Sequence, residues 1–137
     1  MPLEFELPMD RTALRSVLYV DDEPDIRQIV GMALGLAEDL TIHIGSSGEN
    51  AIAIARESRP DLILLDVMMP HLDGPATLQR MREDPLLEDI PVIFVTAKAM
   101  PQEVAQFRAL GAVGIIAKPF DPMKLAEQVF TLWEGIP

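Results

Sequence analysis

Leu62-Ile63-Leu64-Leu65-Asp66 is an unbroken aliphatic run closed by an acid, and its reading decides the fold. A run this short and this apolar reads as a strand buried on both faces, the pattern of a parallel sheet covered by helices. Comparable runs stand at Ser16–Val20, Thr41–Ile44, Val92–Val95 and Gly114–Ala117, with segments of helical period between them. That alternation is the signature of an α/β parallel sheet. In the first helical segment Ile26, Ile29, Val30, Ala33 and Leu34 follow Pro24, a residue suited to a first helical turn. Residues 48–57, 75–83 and 100–110 supply three more helices, with Gly111 as the stop of the third. In the last, Asp121 is the N-cap, Pro122 opens the first turn, and Leu125, Val129, Leu132 and Trp133 form one apolar stripe. The expectation is a five-stranded parallel sheet with five helices in one domain.

The chain's 137 residues suit a single domain, with 49% hydrophobic and 24% charged residues, enough to bury a core. A net charge of −11 disfavours nucleic acid and anionic membrane as direct partners. No apolar run approaches a membrane span and the start lacks a basic signal region, so the expected location is cytoplasmic. The absence of cysteine excludes disulfides, thiolate zinc sites and cysteine nucleophiles. Residues 1–15 fall outside the alternation and read as an N-terminal arm, in which Leu3–Leu7 is either an added edge strand or a flexible segment. The domain proper is expected at 16–134, with a short tail at 135–137.

In open parallel sheets, ligands bind beyond the carboxyl ends of the strands. Asp21 and Asp22 stand at the end of the first strand, Asp66 at the third, Thr96 at the fourth, and Lys118-Pro119 at the fifth. Singly, each has a structural explanation as a cap, a turn residue or a solvated charge. Together they place three acids, a hydroxyl and an ammonium at one edge. Carboxylates ~5 Å apart repel by roughly 3 kcal/mol at an effective dielectric of 20, so the cluster calls for a cation. All-oxygen donors favour Mg²⁺, with Mn²⁺ as a substitute. Calcium lacks its twelve-residue loop spacing, and zinc would have only His43 and His71, which read as strand surface and loop. Such a site suits phosphoryl transfer onto a carboxylate. Gly45-Ser46-Ser47-Gly48 lacks the lysine of a nucleotide-binding loop.

The chain resembles the receiver domain of two-component response regulators, a doubly wound, flavodoxin-like (βα)5 fold, over Val17 to Trp133. The resemblance rests on Tyr19-Val20-Asp21-Asp22-Glu23-Pro24, Asp61 to Pro70 with Asp73-Gly74, Val95-Thr96-Ala97 and Ala117-Lys118-Pro119-Phe120. It implies Asp66 as phosphoacceptor, with Asp21, Asp22, Asp66 and the Met68 backbone carbonyl holding Mg²⁺. It further implies that Thr96 and Lys118 engage the phosphoryl group and that the Lys118-Pro119 bond is cis. Met68 and Lys98 stand where phosphate lifetime is tuned in the family.

The resemblance implies as donor a sensor histidine kinase or a histidine phosphotransfer protein, and as output a changed protein-binding surface on the fourth helix, fifth strand and fifth helix. The downstream target is unassigned, and dimerisation on activation is left open. The chain would be an autocatalytic switch rather than a turnover enzyme. One departure is Ile115, where the family often carries an aromatic switch residue, so coupling would run through Ile115 itself or through the backbone after Thr96. Two other functions fit less well. An aspartate-nucleophile phosphatase would need a second aspartate where Met68 stands, and a flavin-binding module would meet phosphate with the acids Asp21-Asp22-Glu23.

Overall fold

The computed structural model describes residues 13–137. The arm expected over 1–15, with its Leu3–Leu7 stretch, lies outside the described residues except for its last three. Strands and helices alternate as β1 (Ser16–Val20), α1 (Pro24–Gly35), β2 (Thr41–Gly45), α2 (Gly48–Ser58), β3 (Leu62–Asp66), α3 (Gly74–Arg82), β4 (Val92–Thr96), α4 (Pro101–Ala109), β5 (Gly114–Ala117) and α5 (Pro122–Glu134). All strand pairs are parallel, in the order β2-β1-β3-β4-β5. The expected doubly wound α/β fold is the one observed.

Every residue of β3 and β4 is buried, as their composition demands. On one face Val17, Tyr19, Leu62, Leu64, Ile93, Val95 and Ile116 pack under Val30, Leu34, Leu125, Val129 and Trp133 of α1 and α5. On the other, Leu18, Val20, Ile63, Leu65, Val92 and Phe94 pack under Ala51 and Ala55 of α2 and Leu78 and Met81 of α3. Helix α4 buries none of its own residues. Its main anchor is Phe107, whose ring meets Phe94 edge-on at 5.2 Å between centroids.

The fold takes in residues just ahead of β1. Leu14 is buried in the α1/α5-side core. The Arg15 carbonyl accepts a hydrogen bond from Thr41 N–H at 2.8 Å. Asp61 Oδ2 accepts from the N–H groups of Arg15 and Ser16, at 2.9 and 3.1 Å, tying the entry of β3 to that of β1. Among the described residues no helix is long and apolar enough to cross a membrane.

Local chemistry sets the helix ends. Ser47, Asp73 and Asp121 each accept a hydrogen bond from a first-turn N–H of α2, α3 and α5. Gly111 ends α4 at φ +114°, with its N–H on the Arg108 carbonyl and Ala112 N–H on the Phe107 carbonyl. That pair of bonds is the Schellman stop expected of this glycine. At Gly74 the reason for glycine is close approach. A Cβ there would stand 2.7 Å from the Asp66 carbonyl oxygen and 2.8 Å from Val67 Cα.

Gly74→Ala is therefore expected to lower stability by about 1–3 kcal/mol in denaturant unfolding, because backbone at the end of β3 must shift. Gly31→Ala in α1, whose Cβ would meet nothing closer than Ile44 at 4.0 Å, is expected to raise it by roughly 0.5–1 kcal/mol. A fall for Gly31→Ala, or no loss for Gly74→Ala, would contradict these packing assignments.

Candidate functional site

Register brings the strand-end residues together. Val20 is opposite Leu65, so Asp21 and Asp66 are the next residues of adjacent strands. Asp66 is opposite Val95, and Thr96 opposite Ala117, which sets Thr96 and Lys118 one step further along. Between β1 and β3 the chain order reverses, one strand leading outward to β2 and the other to β4. A crevice at such a switch point is where this architecture binds ligands.

The carboxylates of Asp21, Asp22 and Asp66 offer oxygens that all lie within 4.8 Å of one another. Asp21 is fully buried and Asp66 is 4% exposed, while Asp22 is half-buried. Lys118 Nζ lies 2.9 Å from Asp21 Oδ2 and 3.4 Å from Asp66 Oδ1. Asp21 has further donors: Tyr19 Oη donates to Oδ2 at 2.8 Å and Glu23 N–H to Oδ1 at 3.0 Å. Arg27 Nη1 donates to the Asp21 backbone carbonyl at 2.9 Å, holding the turn into α1.

The remaining residues singled out from the sequence divide into those at this edge and those away from it. Thr96 is buried at the end of β4; its Oγ1 accepts from Lys98 N–H at 2.9 Å, and its carbonyl accepts from Lys118 N–H at 2.8 Å. The Lys118-Pro119 peptide is cis. Met68 is exposed in the loop that follows Asp66. Ile115 lies on the other face of the sheet, partly buried against the α2/α3-side core. His43 is half-buried in β2, and His71 is exposed in the β3–α3 loop at φ +68°.

Electrostatics mark Asp66 as the strained acid. Burial, and then the charge of Asp21, push its pKa up to about 6 against the pull of Lys118 and of the Met68 N–H. For Lys118, burial works against the charged form. The hydrogen bond to Asp21 and the charges of Asp66 and Asp21 more than offset it, so its pKa is raised. Burial, followed by the Asp21 charge, also raises the pKa of Tyr19, which keeps its proton and acts as a donor. An oxygen-only cluster with one acid held above its usual range fits a hard divalent cation such as Mg²⁺.

Tyr19 was not singled out by reading strand ends. The sequence did carry a signal for it: this is the chain's single tyrosine, in an apolar strand, two residues before an acid. Residues two apart on a strand share a face, and a buried phenol requires an acceptor.

Residues 17–130 match the family described as the response regulator receiver domain. Response regulator Rre1 of Synechocystis sp. is 36% identical over 110 residues, which are 80% of this chain and 48% of that protein. The phosphate regulon transcriptional regulatory protein PhoB of Pseudomonas aeruginosa is 36% identical over 115 residues, 84% of this chain and 50% of that protein. The chain thus spans about half the length of these two curated relatives. Among solved structures, the chemotaxis protein CheY4 of Vibrio cholerae superposes with a TM-score of 0.79 at 31% identity, covering 88% of this chain and 99% of that one. A signal receiver domain of a histidine kinase from Syntrophus aciditrophicus gives 0.74 at 31% identity, covering 88% and 91%.

The raised pKa of Asp66 has a consequence for stability. A carboxyl that holds its proton better when folded contributes full stability below about pH 4, and this is lost as pH rises through about 6. Asparagine cannot ionise. In EDTA at pH 7.5, Asp66→Asn is expected to be more stable than wild type by about 1–2 kcal/mol, solvent screening included, and the gain should vanish below about pH 4. A gain independent of pH in denaturant melts would refute the electrostatic origin.

Proposed function

The chain belongs to the response regulator receiver family, whose general function is a switch worked by phosphorylation, and from that premise we propose that Asp66 is the phosphoacceptor and that Mg²⁺ assists it. The observation that carries this reading is the convergence of Asp21, Asp22 and Asp66 within 4.8 Å beside the Lys118 ammonium. In the proposed reaction a carboxylate oxygen of Asp66 attacks the phosphorus of a phosphohistidine in line. The new O–P bond forms as the P–N bond breaks, and the donor's imidazole departs. The donor is a sensor histidine kinase or a histidine phosphotransfer protein.

Asp21, Asp22, Asp66 and the Met68 carbonyl would hold the metal, with Mn²⁺ as a substitute. When bound, Mg²⁺ supplies positive charge to the oxygens of the transferring group. Lys118 exchanges its carboxylate partners for a phosphoryl oxygen, and the Thr96 hydroxyl donates to another. Hydrolysis of the aspartyl phosphate restores Asp66 and resets the switch; the phosphorylated chain is itself the signal, so we read it as a switch and not as a turnover enzyme.

Thr96 also supports a route outward that needs no aromatic at position 115. Its Oγ1 already accepts from Lys98 N–H, so a displaced hydroxyl carries the β4–α4 loop with it. The next element, α4, buries none of its residues and is free to re-seat. We therefore assign the output to protein contacts on α4, β5 and α5. With a net charge of −11, direct contact with nucleic acid by this unit is not expected.

Intact mass after brief incubation with Mg²⁺ and acetyl phosphate tests the assignment without a cognate partner. Wild type is expected to gain one phosphoryl group in a Mg²⁺-dependent manner and Asp66→Asn none. Asp22→Ala is expected to take up phosphate about tenfold or more slowly at low Mg²⁺, and Lys118→Ala to retain metal binding. Phosphorylation of Asp66→Asn, or lost metal binding in Lys118→Ala, would overturn these roles.

A further inference from the structure

The buried carboxylate of Asp21 presents Oδ2 to two donors at once, Tyr19 Oη at 2.8 Å and Lys118 Nζ at 2.9 Å. The two differ in what they can do next. Lys118 is on a loop, its side chain is 20% exposed, and it also reaches Asp66. Tyr19 is 1% exposed as the penultimate residue of β1, its ring packed in the α1/α5-side core, so its hydroxyl has nowhere else to go.

We propose that Tyr19 is a positioning residue that holds Asp21 Oδ2 so that Lys118 can leave. This rests on the function proposed above, in which Lys118 moves from the carboxylates to a phosphoryl oxygen. Asp21 is 0% exposed, so Oδ2 has no bulk water beside it to take the place of the ammonium. A buried charged oxygen without a donor is costly, and that cost would bind Lys118 in place. The phenol removes it. Glu23 N–H occupies Oδ1 singly, so the carboxylate plane is fixed from both ends while lone pairs on Oδ1 remain for a cation or its water. Phenylalanine at position 19 would fill the same space and leave Lys118 as the one side-chain donor to Oδ2 among the described residues.

The test is a double-mutant cycle on the full chain, with Mg²⁺ affinity read by titration calorimetry for wild type, Tyr19→Phe, Lys118→Met and the double variant. A cation entering beside Asp21 and Asp66 repels the Lys118 ammonium from the same two carboxylates and draws it off Oδ2, so Tyr19→Phe is expected to weaken Mg²⁺ binding about five- to tenfold. With Lys118 already replaced by Met, the same substitution is expected to have no weakening effect, since there is no ammonium to release. Equal weakening in both backgrounds would show a packing role only and overturn the inference, as would undiminished affinity in Tyr19→Phe.

Should the double variant fail to fold, the ¹³Cε resonance of Lys118, assigned by its loss in Lys118→Met, replaces it. That resonance is expected to follow the Mg²⁺ titration, with its midpoint moved by the same factor in Tyr19→Phe. A Lys118 signal indifferent to Mg²⁺ in wild type overturns the inference. A wild type that binds no Mg²⁺ overturns the proposed function and the inference with it, whereas binding with an additive cycle overturns the inference alone.

Discussion

Lys118 Nζ, brought from 97 residues along the chain, bonds the fully buried Asp21 carboxylate and reaches that of Asp66. The rest of the site depends on this ammonium. Two unit charges at 4 Å interact with about 4 kcal/mol at an effective dielectric of 20, so a second acid beside Asp21 is tolerated only with a cation between them. One ammonium against three carboxylates still leaves the cluster short of positive charge, and the charge of Asp21 adds to burial in holding the pKa of Asp66 up. A site in that condition is compatible with a further cation such as Mg²⁺.

The sheet delivers this arrangement through register rather than through loops. Asp21, Asp66, Thr96 and Lys118 each sit at, or one residue past, the end of a strand whose interior is apolar, and parallel pairing holds those ends level. The turns then lock their neighbours. Gly74 N–H bonds the Val67 carbonyl at 2.9 Å, and the absence of a side chain lets α3 begin against the backbone of Asp66. Position and packing are thus the same fact: what would move Asp66 would also break the start of a helix.

The fold was legible because strands buried on both faces leave no choice of pattern. β3 and β4 are aliphatic or aromatic almost to their last residue, and their ends could be read to within one position. The candidate site was legible as a set: singly each of these polar residues has a structural use, but four apolar runs closing in Asp21-Asp22, Asp66, Thr96 and Lys118 bring them to one edge of a parallel sheet. What could not be read were contacts that depend on three-dimensional approach. Nothing in the sequence says that Lys118 lies nearer to Asp21 Oδ2, which it shares with the Tyr19 phenol, than to Asp66. Leu14 escaped because one leucine before a strand has no periodicity, although it is buried in the core. The shallow seating of α4 left a faint trace, since Val104 and Phe107 are the only large apolar residues within it, but the packing is needed to see that Phe107 meets Phe94 while no residue of the helix is buried.

That shallow seating has a physical logic. An element that is to change its position must not be held by a large buried area, since each buried aliphatic side chain adds about 1.5–3 kcal/mol to be lost on moving. α1, α2, α3 and α5 each bury three or more residues and form the frame. α4 is tied instead by its ends: Glu103 accepts from Met100 N–H at 3.0 Å at the start, and the Gly111 stop closes the finish. Such ties preserve the helix as a helix while leaving its docking weak. Met100 and Leu110, at its two boundaries, are exposed apolar groups whose burial by a partner would favour one seating over another. In the function proposed above, the free energy that selects a seating enters at Thr96, at the far end of the loop that α4 follows. The rigid ammonium-carboxylate cluster and the loosely docked helix are then two requirements of one device, the first to hold charge in place and the second to respond when it changes.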